Sequence, residues 1–226
     1  MAAILASGGS LKVTGTREEV EEVARRMVEP ANSLERGINV ASWILRVTEE
    51  GRQEEGVRLF LYSTINALLF CIASFQPRPH PDPLLQFLLS NQARLRFSFY
   101  DPNQNPLVKL LEVYSRLYTQ DRRRLDPAAT SPPPQVLVEL ESLRLQHLAA
   151  VRAIHQAMKE VDKDVFTVRS CTSLMEAYDK GGSFEEVEEI WKLMRSEGGV
   201  GIDERAVSVV SLFSSKTTRP SSLHSV

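Results

Sequence analysis

Cysteine is almost missing from the chain. Its two, Cys71 and Cys171, stand a hundred residues apart in apolar or mixed surroundings. That excludes a disulfide framework and any zinc-finger spacing, and it suits a reducing compartment. Histidine is nearly as scarce, at four residues. His147 and His155 are eight apart, but no thiol or carboxylate stands where it would complete a ligand set, so no metal is expected. Charge of one sign is lacking too: 27 basic against 29 acidic residues leave a net of −2 over 226 residues. Bulk attraction for a polyanion is thereby excluded, and any grip on one has to come from a local stripe.

Catalytic signatures are also absent. Neither Gly-x-Ser-x-Gly nor His-Glu-x-x-His occurs. Gly8-Gly9-Ser10-Leu11-Lys12 lacks the spacing of a phosphate loop. Gly198-Gly199-Val200-Gly201 follows a helical stretch, where a dinucleotide fingerprint would follow a strand. Neither cysteine has a base nearby in sequence, so the expectation is no enzyme and no cofactor. One long hydrophobic run exists, Leu59 to Phe75, with 17 uncharged residues. It reaches only the lower edge of what a bilayer needs, and Ser63, Thr64, Asn66 and Ser74 interrupt it. A buried helix is the favoured reading over a membrane span.

What is present reads as helix. Hydrophobic residues at 42% and charged residues at 25% suffice for a folded core. Thr16-Arg-Glu-Glu19 is a capping box, followed by Val20, Val23, Ala24 and Met27 at helical spacing, and Pro30 stops that helix. A second helix runs from Ser33 to Gly51, and a third begins near Gln53 and enters the uncharged run. Alternating prolines over Gln76–Pro83 break the pattern before Leu84 to Leu95 resumes it. Arg96 to Tyr100 alternates as a short strand would. Arg94 and Arg96 beside Phe97, Phe99 and Tyr100 are expected to be core aromatics with solvent arginines rather than a single-strand platform. Leu107 to Leu117 is helical again. Beyond it, Asp121-Arg-Arg-Arg124 with Arg116 upstream is the most basic patch; a solvated helix end is favoured over contact with phosphate, an import factor or an acidic partner.

The organisation expected is a disordered or targeting segment at 1–15, an irregular helical region at 16–125, a Pro-rich linker at 126–134, a helical repeat region at 135–213 and a disordered tail at 214–226. The fold class is all-α, a helical-hairpin, α-solenoid-like array that is less regular in its N-terminal half.

Residues 165–203 carry the sharpest pattern. Val168 to Lys180 forms a helix presenting Cys171, Leu174, Met175 and Tyr178 inward, and Gly181-Gly182 supplies the left-handed turn that ends it. Ser183-Phe-Glu-Glu186 reads as a capping box for a second helix that buries Val187, Ile190, Trp191 and Met194. Two short helices so joined cannot bury both faces alone, so neighbours must stack on them. In Ser173-Leu-Met-Glu-Ala-Tyr178, the glycine turn, Glu185-Glu186-Val187, Trp191-Lys-Leu-Met194 and Asp203, this segment resembles the pentatricopeptide repeat family. Ala150 to Lys159, Val207 to Phe213 and Val40 to Phe60 echo it more faintly.

The resemblance implies binding of single-stranded RNA, with a mitochondrial location expected and a cytoplasmic one otherwise. It places base reading on Thr172 and Asp203, a pair that implies a guanine preference, with Arg169 at the flanking position. Aspartate accepts from the guanine amino and imino hydrogens, and a guanidinium stacks on bases or pairs with phosphate. One repeat reads at most one base. From Gln135 to Asp203 there are thirteen acids against eight bases, so charge does not help there. The alternative is a helical scaffold whose concave face binds a protein; a membrane partner is not expected.

Overall fold

The computed structural model describes residues 3–7, 10–28, 33–49, 55–72, 80–91, 95, 105–125, 133–161, 165–196 and 199–217. Among these, nine helices and one two-stranded ribbon make an all-α array. The chain divides into two compact units, residues 1–95 and 96–226.

In the first unit, β1 (Ala3–Ser7) and β2 (Ser10–Thr14) pair antiparallel, from Ala3↔Thr14 to Ser7↔Ser10. This stretch was expected to lie outside the fold. The Gly8-Gly9 pair between the strands is a favoured hairpin-loop sequence, and that signal went unread. The Thr16 capping box forms as its spacing predicts: the Glu19 amide donates to Thr16 Oγ1 at 3.4 Å and the Thr16 amide to Glu19 Oε2 at 3.1 Å. It opens α1 (Arg17–Val28), and α2 (Leu34–Glu49), α3 (Glu55–Cys71) and α4 (Asp82–Ser90) follow.

The uncharged run is the centre of this unit. α3 packs against α1, α2 and β2, burying Phe60, Leu61, Tyr62, Ile65, Leu68 and Leu69. Two of its hydroxyls are satisfied within the helix: Ser63 donates to the Leu59 carbonyl at 2.7 Å and Thr64 to the Phe60 carbonyl at 2.8 Å. Side chains buried on most of its circumference therefore leave no stranded polar atom there. No helix among the described residues is long and apolar enough to cross a membrane. Gly56 permits β2 to lie on α3, since a Cβ there would run into the Val13 carbonyl oxygen.

The second unit consists of α5 (Pro106–Leu125), α6 (Pro134–Val161), α7 (Val168–Gly181), α8 (Phe184–Arg195) and α9 (Glu204–Thr217). The Pro-rich segment expected as a domain boundary at 126–134 falls inside this unit. The reason is physical: Leu107, Leu110, Leu111 and Tyr114 of α5 are buried as α5 packs against α6 and α7. α7 packs on α5 and α9 to either side, with α6 and α8 behind. The result is an inner row of α5, α7 and α9 backed by an outer row of α6 and α8.

The 168–195 hairpin folds as its pattern predicts, with Cys171, Leu174, Met175, Tyr178, Val187, Ile190 and Met194 buried. Gly182 takes the left-handed conformation (φ 71°, ψ 26°), and the Ser183 amide closes the turn on the Tyr178 carbonyl at 2.9 Å. Two local readings change. Ser183 makes no cap; its hydroxyl donates to Glu186 Oε2 at 2.5 Å and accepts from Arg152 of α6, so it serves the contact between outer helices instead. Trp191 is only half-buried, with the Arg195 guanidinium 5.9 Å over its ring. The cap that does form lies earlier, between Thr167 and Ser170. Arg94 and residues 96–100, the strand and platform candidates, lie outside the described residues, as do 126–132 and 218–226.

Candidate functional site

The outer row is joined to the inner one by two histidines. The His147 Nε2 donates to the Ala177 carbonyl at 2.9 Å, and the ring stacks on Tyr118 at 4.5 Å. Burial holds its pKa below the ordinary histidine value, so Nδ1 carries the lone pair. His155 Nδ1 lies 3.0 Å from the Tyr178 hydroxyl. Burial lowers His155 to about 4 and pushes the Tyr178 phenol well above its usual range. A neutral imidazole and a protonated phenol therefore share an uncharged hydrogen bond, whose direction follows the tautomer of the ring. The two histidines that shared a helix face in sequence thus register α6 against α7, and no metal cluster exists among the described residues. Cys171 is buried and its thiol is pushed up to about 11, mainly by burial, which disfavours the thiolate.

The inner row holds the residues singled out by sequence. Thr172, on the second turn of α7, is 1% exposed, and its hydroxyl donates to Asp203 Oδ1 at 3.1 Å. That same oxygen accepts the Ala206 amide at 2.7 Å, so Asp203 is the N-cap of α9. Asp203 Oδ2 makes no hydrogen bond among the described residues. The structure therefore brings Thr172 and Asp203 together, but in unequal positions: a buried donor that orients, and a half-exposed carboxylate with one oxygen left over. Arg169 is exposed and pairs with Glu112 of α5 at 3.1 Å.

Between α5 and α7 runs an open groove of about 340 Å³, lined by Arg116, Thr119 and Arg123 on one side and Ser173, Glu176 and Lys180 on the other, with Glu112 at its rim. Its two carboxylates are engaged by cations from neighbouring helices. Glu112 takes Arg169, and Glu176 takes Arg205 of α9, whose Nη2 reaches both carboxylate oxygens at 2.7 and 2.9 Å. Arg116, Arg123 and Lys180 have no ion-pair partner among the described residues. Sequence reading put Arg116 and Arg123 on a solvated helix end and did not single out Glu112, Glu176 or Arg205. The available signal was the i,i+4 spacing of Glu112 to Arg116 and of Glu176 to Lys180, which predicts pairs within one helix. Packing selects pairs between helices instead. Compared with known proteins, the chain matches no family model, no curated protein and no solved structure.

Proposed function

We propose that residues 106–217 form a short helical-repeat array of pentatricopeptide type that binds single-stranded RNA along its inner row, in organellar RNA metabolism or translation. The observation that carries this reading is the single layer of α5, α7 and α9, stitched by Glu112–Arg169, Thr172–Asp203 and Glu176–Arg205. Equivalent positions of successive hairpins then face one extended ligand. In this reading Asp203 offers Oδ2 to a guanine edge, Thr172 holds the carboxylate in place, and Arg169 flanks the base. Burial of Cys171 at the heart of α7 supports a non-catalytic role.

The test uses the full chain and two 12-nucleotide single strands, one uridine-only and one with a central guanine. Asp203→Asn keeps the cap, because its carbonyl oxygen still meets Thr172 and the Ala206 amide, and puts an amide donor where Oδ2 was. The expected result is salt-sensitive binding by the native chain, with a guanine preference that Asp203→Asn abolishes. Absence of salt-sensitive binding to either strand contradicts the proposal.

A second reading, a non-catalytic scaffold for a protein partner, draws on Leu137, Val138 and Leu145. These lie on the first half of α6 with exposures of 52%, 70% and 53%, more apolar surface than an outer helix needs for packing here. Leu137→Lys with Val138→Lys would disrupt such an interface and leave RNA binding unchanged.

A further inference from the structure

We infer that the groove between α5 and α7 is a phosphate-chain site, in which Arg116, Arg123 and Lys180 grip the backbone of an extended polyanion independently of its bases. The inference deepens the RNA reading and rests on it for the identity of the ligand.

The argument is one of partner choice. Glu112 stands four residues before Arg116, and Glu176 four residues before Lys180, the favourable order for an ion pair on a helix surface. Both carboxylates decline that partner and turn to the neighbouring helix, Glu112 to Arg169 and Glu176 to Arg205. Each of the two acids lining the groove is thereby paired with a cation of a helix other than its own, and the groove's own cations have no ion-pair partner among the described residues. Helix dipoles favour Arg123 and Lys180 near the C-terminal ends of α5 and α7, but Arg116 lies in the middle of α5 and gains nothing from that term. Arg116 and Arg123 are seven residues apart on one face, about 10 Å along the axis at 1.5 Å per residue. That spacing spans a chain of phosphates and exceeds one compact anion. Thr119 and Ser173 also line the groove, the Thr119 hydroxyl donating to the Ser115 carbonyl at 2.8 Å, so the cations alone carry the grip. A site of this kind also supplies what one base-reading position lacks, namely affinity.

The experiment measures binding of the full chain to the uridine-only strand and to inorganic polyphosphate, across a salt series. Arg116→Gln with Arg123→Gln is compared with Arg25→Gln with Arg26→Gln, which removes the same charge from α1. The groove variant is expected to weaken both ligands on the order of 10-fold and to lower the salt slope for RNA by about 1.4, from two contacts at about 0.7 each. The α1 variant leaves both unchanged. Native binding to polyphosphate alone, lost in the groove variant, supports the phosphate site and removes RNA as its ligand. Binding that the groove substitutions leave intact overturns the site while the RNA reading stands. No native binding to either ligand overturns both. Circular dichroism confirms that the exposed substitutions leave the helices folded.

Discussion

The two units solve the same problem, keeping helices in register, by different means. In residues 1–95 the central helix is nearly all apolar, and two of its buried hydroxyls, Ser63 and Thr64, turn inward to their own backbone. Those two bonds stay within α3, and its contacts with α1, α2 and β2 bury a large apolar area. In the second unit the interior also carries polar links between helices: His147 to Ala177, His155 to Tyr178 and Thr172 to Asp203. Apolar burial is indifferent to direction and small slips, whereas a buried hydrogen bond is satisfied in one register only. The second device suits the proposed role, in which aligned positions of the inner row face an extended ligand. The contrast teaches that the second unit adds register-specific links to an apolar core.

That contrast is open to attack from both sides, and the two tryptophans, Trp43 in α2 and Trp191 in α8, report on the units separately. The largest effect is expected from Phe60→Ala. Phe60 has no exposed surface, and emptying its site should cost about 3–5 kcal/mol, read as a lower midpoint of the Trp43 transition in denaturant. A loss below 1 kcal/mol would mean that α3 is not the centre of that core.

Next in size is acid sensitivity. The folded-state pKa of His155 is lowered to about 4, by burial first and by Lys159 second, against an ordinary value of 6.5. Above pH 6.5 the ring is neutral folded or unfolded, and its contribution is fully present. As pH falls from 6.5 towards 4, the unfolded chain takes a proton that the folded chain refuses, so stability is lost over that window. The loss is on the order of 3 kcal/mol. The Trp191 transition should therefore fall between pH 7 and 4, and His155→Gln should reduce that dependence, His147 still contributing in the same direction. The first unit has no buried histidine among its described residues, since His80 is exposed, so the Trp43 transition lacks this contribution. An unchanged slope in His155→Gln would remove the histidine from the explanation.

The smallest effect concerns the turn. Gly182 has open space around it but sits at φ 71°, so Gly182→Ala meets no clash and pays only the left-handed strain, about 1–2 kcal/mol. The same measurement on Trp191 checks it, and a neutral result would deny that Gly182 sets the hairpin.

These elements also mark how far sequence carries. The 168–195 hairpin was legible because its cues are local: a 3.6-residue apolar period, a glycine turn and acidic residues at the start of the second helix. The uncharged run was legible as a buried helix through its length and its four polar interruptions. The ribbon at 3–14 was missed because its short strands do not alternate cleanly, and its docking depends on Gly56, some forty residues away. The Pro-rich segment read as a boundary because prolines report where a helix stops, not what packs across the gap. At the candidate site Thr172 and Asp203 were found by resemblance, whereas their mutual bond, 31 residues apart, depends on how α9 follows α8. The groove was invisible for the same reason. Sequence showed Glu112 beside Arg116 and Glu176 beside Lys180, and only the packed helices decide which cation each acid takes.

The central claim, that the inner row of residues 106–217 faces a single strand, is tested most directly by photo-crosslinking. The full chain is bound to a 12-nucleotide RNA carrying 4-thiouridine and irradiated, and the adducts are mapped by mass spectrometry. The account predicts adducts on α5, α7 and the start of α9, around Arg116, Arg123, Arg169 and Asp203. Adducts confined to the outer helices α6 and α8 or to residues 1–95, or none at any position under binding conditions, would contradict it.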